Sequence, residues 1–232
     1  MQKRGTAPLL FKNIVAKGSK MIDSVGDPQF PIWLVGDSPP KNWDQELETP
    51  LDARHPARHN IWTSVADYMQ DVLYREKSLR LNTANLYIRN AISKVELKPG
   101  KEELSWPRLQ EEIESWNDRL QKYKPRAVLT FGAFAFELLR RAEKEEPPRP
   151  FGNWGTRELG AAFRERLRLY NPLQVNVVPL LHVSIARGRF LHSHRYFVGG
   201  EGSSEPNYFD YVGNKLAILF MQHMAKEKIW IT

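Results

Sequence analysis

Four short β-like runs alternating with helical patterns predict an α/β chain. The expected architecture is a single three-layer α/β/α domain around a central, mainly parallel, four-stranded sheet. Two further observations support this. The segments between the runs repeat apolar residues every three or four positions. The runs also end abruptly on polar or turn-forming residues, and in open α/β sheets the carboxyl edge of the strands is where ligands bind.

The first run, "PIWLVGD" (31–37), meets Gly36-Asp37-Ser38 and then two prolines, which forbid the strand from continuing. The segment 61–77 follows, with Val65, Tyr68, Met69, Val72 and Leu73 on one helical face. "NLYIRNA" (85–91) is the second strand. A helix over 105–123 then takes Ser105 as its N-cap and Pro107 in its first turn, with Leu109, Ile113, Trp116 and Leu120 recurring at helical spacing. "RAVLTFG" (126–132) runs directly into the helical "GAFAFELLRRAEKEE". "QVNVVPLLH" (174–182) is the fourth strand, and a last helix over about 207–226 carries Tyr211, Ile218, Leu219 and Met221. The Pro/Gly-rich stretches 143–155 and 197–209 read as loops inside one domain. Residues 1–232 are therefore expected to form one domain, with 1–30 as an N-terminal extension.

Composition narrows the classes. With 232 residues, 41% of them hydrophobic, the chain can bury a sizeable core. It has no Cys, which excludes disulfides, thiolate zinc sites and cysteine-ligated iron–sulfur clusters. No apolar run approaches the roughly 18 residues of a membrane span. The basic N-terminal segment lacks the continuous apolar stretch and small-residue cleavage site of a secretory signal, so a cytoplasmic location is expected. Lys and Arg number 34 against 27 Asp and Glu, a net charge of +7 that favours polyanionic partners. His192 and His194 stand two apart with no carboxylate or third His close in sequence, so no metal site and no cofactor are expected.

The polar strand ends converge. Asp37 and Ser38 follow the first run, Asn90 closes the second and His182 the fourth, and parallel strands put these ends on one rim. Such a set suits a reaction whose transition state separates charge, as in breaking an N-glycosidic bond. A carboxylate stabilises the sugar cation and orients a water, a His stabilises the departing anion, and an amide reads a pyrimidine edge with its donor and acceptor.

On these residues the chain resembles the uracil-DNA glycosylase superfamily, particularly its bacterial and archaeal iron–sulfur branches. "LVGDSPP" is similar to the first motif, and "LYIRNAISKVELKPG" to the segment whose Asn pairs with a flipped base. "KPRAVLTFGAFAFELL" resembles the Lys-Pro, strand and Gly-Ala helix of the family. "LLHVSIARGRF" resembles the His-Pro-Ser motif, with Val183 in place of the proline. The similarity spans roughly 31–192, without the cluster cysteines. It implies a monofunctional glycosylase, monomeric, with DNA as partner. Its implied catalytic residues are Asp37 and His182. Ser38 either occupies the acid's place or positions water or phosphate. Asn90 would read the base, and His59, Trp62 or Trp43 would stack on it. Ser184, Arg187, Arg189 and Phe190 would form a loop that holds phosphates and fills the space of the flipped nucleotide. Pro40 stands where the best-known uracil-specific branch has a Tyr that blocks 5-substituents, which implies room for a bulky 5-modified pyrimidine. Such bases occur in viral DNA, and their removal would serve defence; uracil repair is the ordinary alternative.

Each of these residues also has a plainer role open to it. Asp37 can cap a turn, Asn90 can bond backbone, His182 can be a satisfied core histidine, and the aromatics can simply pack. Two rivals of other classes follow. A Gly-Asp-Ser hydrolase would use Ser38 as nucleophile, but needs a Gly-x-Asn-Asp block and an Asp-x-x-His near the C-terminus, and neither is there. The other rival is a catalytically inactive DNA-binding module on the same fold.

Overall fold

The central sheet has the order β1-β4-β2-β5-β6, and every pairing in it is parallel except that of β1 with β4. The computed structural model describes residues 24–39, 62–82, 86–186, 192–199, 207–223 and 230–231. The strands are β1 (Ser24–Val25), β2 (Ile32–Gly36), β4 (Tyr87–Asn90), β5 (Ala127–Phe131) and β6 (Val177–Leu180). A separate antiparallel pair joins β3 (Arg80–Leu81) to β7 (Trp230–Ile231). All four predicted strands are present, and the sheet has a fifth. Ser24–Val25, read above as part of the N-terminal extension, pairs antiparallel with Arg89 and Ile88. A two-residue edge strand is too short to show a period, which is why the expected count of four was low.

β2 is central because Ile32, Trp33, Leu34 and Val35 are all apolar and fully buried. An uninterrupted apolar run is what a strand covered on both faces needs. Trp33 anchors it, with its ring 4.8 Å from Tyr87 and 6.3 Å from Trp116, and its indole N–H donating to the carbonyls of Pro28 and Phe30. β5 is buried throughout, and Thr130 satisfies its hydroxyl by donating to the carbonyl of Val178.

Helices α1 (Thr63–Lys77), α2 (Gln110–Tyr123), α3 (Ala133–Ala142) and α4 (Thr156–Arg168) cover the sheet. They are joined by the short α5 (Val183–Ala186), by α6 (His192–Val198) and by α7 (Tyr208–His223). α1 packs on α7, and α2 on α3. Val65, Met69, Val72 and Leu73 are buried on α1 as predicted, but Tyr68 lies at the edge, where its hydroxyl accepts a bond from Asn207 Nδ2. On α7, Leu219 is buried and Ile218 is exposed. Ser105 does not cap α2. A 3-10 turn over Pro107–Leu109 precedes the helix, and Trp106 holds the approach by donating its indole N–H to the carbonyl of Glu103. The long apolar Trp side chain decides that entry rather than the hydroxyl. α4 carries no marker that the sequence reading used.

The 143–155 connection is tied to α3 by one carboxylate. Glu137 is fully buried, and its two oxygens accept from Arg140 (2.8 Å), Arg141 (3.0 Å), the Arg149 backbone N–H (2.8 Å) and the Trp154 indole N–H (2.8 Å). Beyond it, burial pushes the Glu143 carboxyl up from 4.5 to about 7; the neighbouring Glu145 carboxylate adds to the rise and Arg166 opposes it. Between these two values the folded chain keeps a proton that the unfolded chain has released, so each step up in pH costs stability. Glu143's contribution is thus full below pH 4.5 and gone once pH has risen through about 7. Unfolding in urea at several pH values should show Glu143→Gln losing less stability than the wild-type chain across this window. An equal loss in both proteins would place the titration elsewhere.

Candidate active site

The strand order puts a reversal of winding at the centre of the sheet. From β2 the chain moves out to β4 and then crosses to β5 on the other side, which makes the carboxyl ends of β2 and β5 a topological switch point. Asp37 follows β2 and Gly132 follows β5. Val35 pairs with Thr130, so two residues farther along each strand Asp37 and Gly132 come level.

Asn90 reaches the rim beside Asp37. Gly36 is its partner across the β2–β4 pair. A Cβ on Gly36 would lie 2.5 Å from Asn90 Oδ1, so the absent side chain leaves the place that the amide occupies. The backbone around Asn90 is held on both sides. The Ala91 N–H donates to the Gly36 carbonyl at 2.8 Å, and the Trp116 indole N–H donates to the Ala91 carbonyl at 2.8 Å. These bonds fix the amide's base without using its own donor and acceptor.

His182 approaches from β6. A Cβ on Gly132 would come within 3.0 Å of His182 Cβ, and Gly132 also has φ +105°, which L side chains rarely adopt. Glycine there serves both the turn into α3 and the close approach of the histidine. The Ser184 backbone N–H donates to His182 Nδ1 at 3.3 Å, and Ser184 Oγ lies 2.9 Å from the same nitrogen. A backbone N–H can only donate, so Nδ1 is an acceptor and the neutral ring carries its proton on Nε2. One residue earlier, the Leu181 N–H donates to the buried Tyr208 hydroxyl at 2.9 Å, and burial pushes that phenol's titration further up.

Asp37 is not a bare carboxylate. Lys98 Nζ lies 2.6 Å from Oδ1 and 2.7 Å from Oδ2, and the Asp37 side chain is only 12% exposed. The Lys98 ammonium also stands over the rings of Phe134 (5.1 Å) and Phe151 (5.6 Å). Sequence reasoning passed over Lys98. The signal was the Lys98-Pro99-Gly100 turn, a rigid break that re-aims the chain after Asn90 and Ala91.

Asp37, Asn90 and His182 therefore lie at the carboxyl ends of neighbouring parallel strands, on one rim of the sheet, with Lys98 bonded to Asp37. Ser184 is exposed and orients His182. Ser38 is partly buried beside Asp37. Trp62 is packed into the core at the head of α1, 7% exposed. Pro40, Trp43, His59, Arg187, Arg189 and Phe190 lie outside the described residues. The second histidine of the 192/194 pair has a structural role. His194 Nε2–H donates to the Ala186 carbonyl at 2.7 Å, and its Nδ1 accepts the Tyr208 N–H at 3.3 Å. That clasp ties the end of α5 to the start of α7.

A comparison with protein families matches the model described as Uracil DNA glycosylase superfamily to residues 24–202. No curated protein matches the chain.

Proposed function

The chain belongs to the uracil DNA glycosylase superfamily, and on that premise we propose that it is a monofunctional DNA glycosylase. It acts as a monomer, flips a pyrimidine nucleotide out of DNA and hydrolyses the bond from C1′ to the base. The observation that supports this reading is that Asp37, Asn90 and His182 follow or close neighbouring parallel strands at their carboxyl ends.

As the C1′–N bond lengthens, positive charge builds on the sugar and negative charge on the base. The Asp37 carboxylate faces the first and directs a water whose oxygen bonds to C1′ and whose surplus proton passes by way of the carboxylate to solvent. His182 offers its Nε2–H to the base oxygen that gains charge, and the base leaves as an anion that takes up a proton from solvent. Asn90 supplies one donor and one acceptor to the pyrimidine edge. Removing such electrostatic partners raises the barrier even where DNA binding is intact.

For substrate, the reading rests on Pro40. By the resemblance, a proline in place of a blocking Tyr would leave room at the pyrimidine 5-position, so the proposed substrate is a bulky 5-modified pyrimidine of viral DNA. Excision would leave the foreign genome with abasic sites, a cytoplasmic defence. The family match favours a second reading, repair of uracil in the cell's own DNA. Oligonucleotides carrying uracil, 5-substituted uracils or modified cytosines separate the two when released base is measured directly. The modified substrates should be processed, and Pro40→Tyr should suppress their release more than that of uracil. Efficient excision of uracil with every 5-modified base ignored would leave repair as the function.

A further inference from the structure

We infer that Lys98 is the positioning residue for the Asp37 carboxylate, an inference that rests on the glycosylase reading above. Two hydrogen bonds of 2.6 and 2.7 Å from one ammonium to both carboxylate oxygens fix the plane of that group as well as its place. Charge-assisted bonds of this length are about twice as strong as neutral ones. Each oxygen keeps a second lone-pair direction, turned away from Lys98, for the water and the sugar.

The lysine is itself held. Its ammonium stands over Phe134, in the first turn of α3, and over Phe151, two rings that pack edge-on with centroids 5.5 Å apart. Trp106 stacks beside both, at 5.5 and 6.3 Å. Such faces attract a cation, so the two rings help to hold the ammonium in place. On its backbone side, the Lys98 N–H donates to the Val95 carbonyl at 3.1 Å, and Pro99 follows. A long and otherwise flexible side chain is thereby confined at both ends.

A polyanionic substrate explains why a carboxylate here needs such a partner. Duplex DNA carries about one negative charge per 1.7 Å of axis. An unpaired carboxylate on the binding rim would repel the backbone and turn toward solvent cations. Lys98 cancels that cost in the free enzyme and leaves the carboxylate aimed at C1′. Held in that plane, it answers the sugar's charge without having to reorient as the charge appears.

The test uses the full chain with the substrate that the oligonucleotide panel identifies. Lys98→Met should slow single-turnover base release by about 10- to 100-fold, and should weaken affinity for the abasic product DNA by clearly less than it slows the reaction, since the unpaired carboxylate repels the backbone as well as losing its aim. Lys98→Gln, which keeps a donor, should fall between them. Melting temperatures show whether each variant is folded. On an Asp37→Asn background Lys98→Met should slow the reaction no further, because there is no carboxylate left to aim. Sodium borohydride added during turnover should trap no protein–DNA adduct. Full single-turnover rate in folded Lys98→Met, or additive losses in the double variant, would overturn the inference while leaving the glycosylase reading intact. An adduct that disappears with Lys98 would overturn it by making the amine a nucleophile. A wild-type chain that releases no base from any substrate removes both readings together.

Discussion

Asp37→Asn should release its base at least about a hundredfold more slowly than the wild-type chain, with DNA affinity nearly unchanged. The substitution keeps the shape and removes the negative charge that answers the sugar cation. It also swaps a carboxylate oxygen facing Lys98 for an amide N–H₂, which cannot accept the ammonium's bond. His182→Ala should show a loss of the same order by a different route, because the Nε2–H that meets the departing base is gone. Ser184→Ala should cost less, since the backbone N–H of residue 184 still marks Nδ1 as the acceptor. Single-turnover rates separate chemistry from product release, and filter binding or anisotropy gives the affinity. A full rate in Asp37→Asn would shift the acid's role to the neighbouring Ser38. A loss of affinity equal to the loss of rate would mean that Asp37 supports binding rather than chemistry.

Glu137→Ala should destabilise the fold by about 3–5 kcal/mol, the usual consequence of stranding a buried charged partner. Four donors converge on this carboxylate, and it has no exposure to water. Without it, Arg141 loses a partner on the buried side, and the Arg149 N–H and the Trp154 indole N–H lose their acceptor. Arg140 keeps Glu145, to which its Nε donates at 3.0 Å, so the damage centres on Arg141, Arg149 and Trp154. The Arg141 guanidinium lies 3.7 Å from the centre of the Trp106 ring, which in turn packs on the Phe134 and Phe151 pair beneath Lys98. Urea unfolding of the wild type and of Glu137→Ala measures the difference. A change below about 1 kcal/mol would mean that water replaces the lost oxygens readily and that the cluster is less dry than its geometry implies.

The two outcomes would fall on different levels of the molecule. Asp37 sits on the rim, where a lost charge slows chemistry and costs the fold little. Glu137 lies on the buried face of α3, where a lost charge weakens the fold and touches the reaction only through the packing under Lys98. Rate and stability measured on both variants would show the separation directly.

Much of the sheet was readable because buried parallel strands are written as plain apolar runs. "IWLV" is wholly apolar and "AVLTF" is interrupted only by Thr130, and both prove to be interior strands. The rim was readable for a related reason. Gly36-Asp37, Asn90 and His182 each end an apolar run, and parallel connections leave those ends on one side. The helix faces were legible where an apolar side chain had only the core to go to, as with Val65, Met69 and Trp116. They were misread at Tyr68 and Ile218, where an apolar body at helical spacing lies on the boundary instead.

By itself the sequence determined the order of the four parallel strands, the side of the sheet that carries the polar groups and the absence of any thiolate chemistry. These depend on local pattern and on composition. Only the tertiary structure decided that Ser24–Val25 closes the sheet, that Gly36 and Gly132 are cradles for Asn90 and His182, and that Lys98 grips Asp37. Asp37 and Lys98 are 61 positions apart, and no periodicity relates them. Their contact exists because β2 and β4 lie side by side, which brings the turn after one strand against the loop after the other. Local patterns report where a residue prefers to be along the chain; which charge it meets there depends on how the strands are ordered in space.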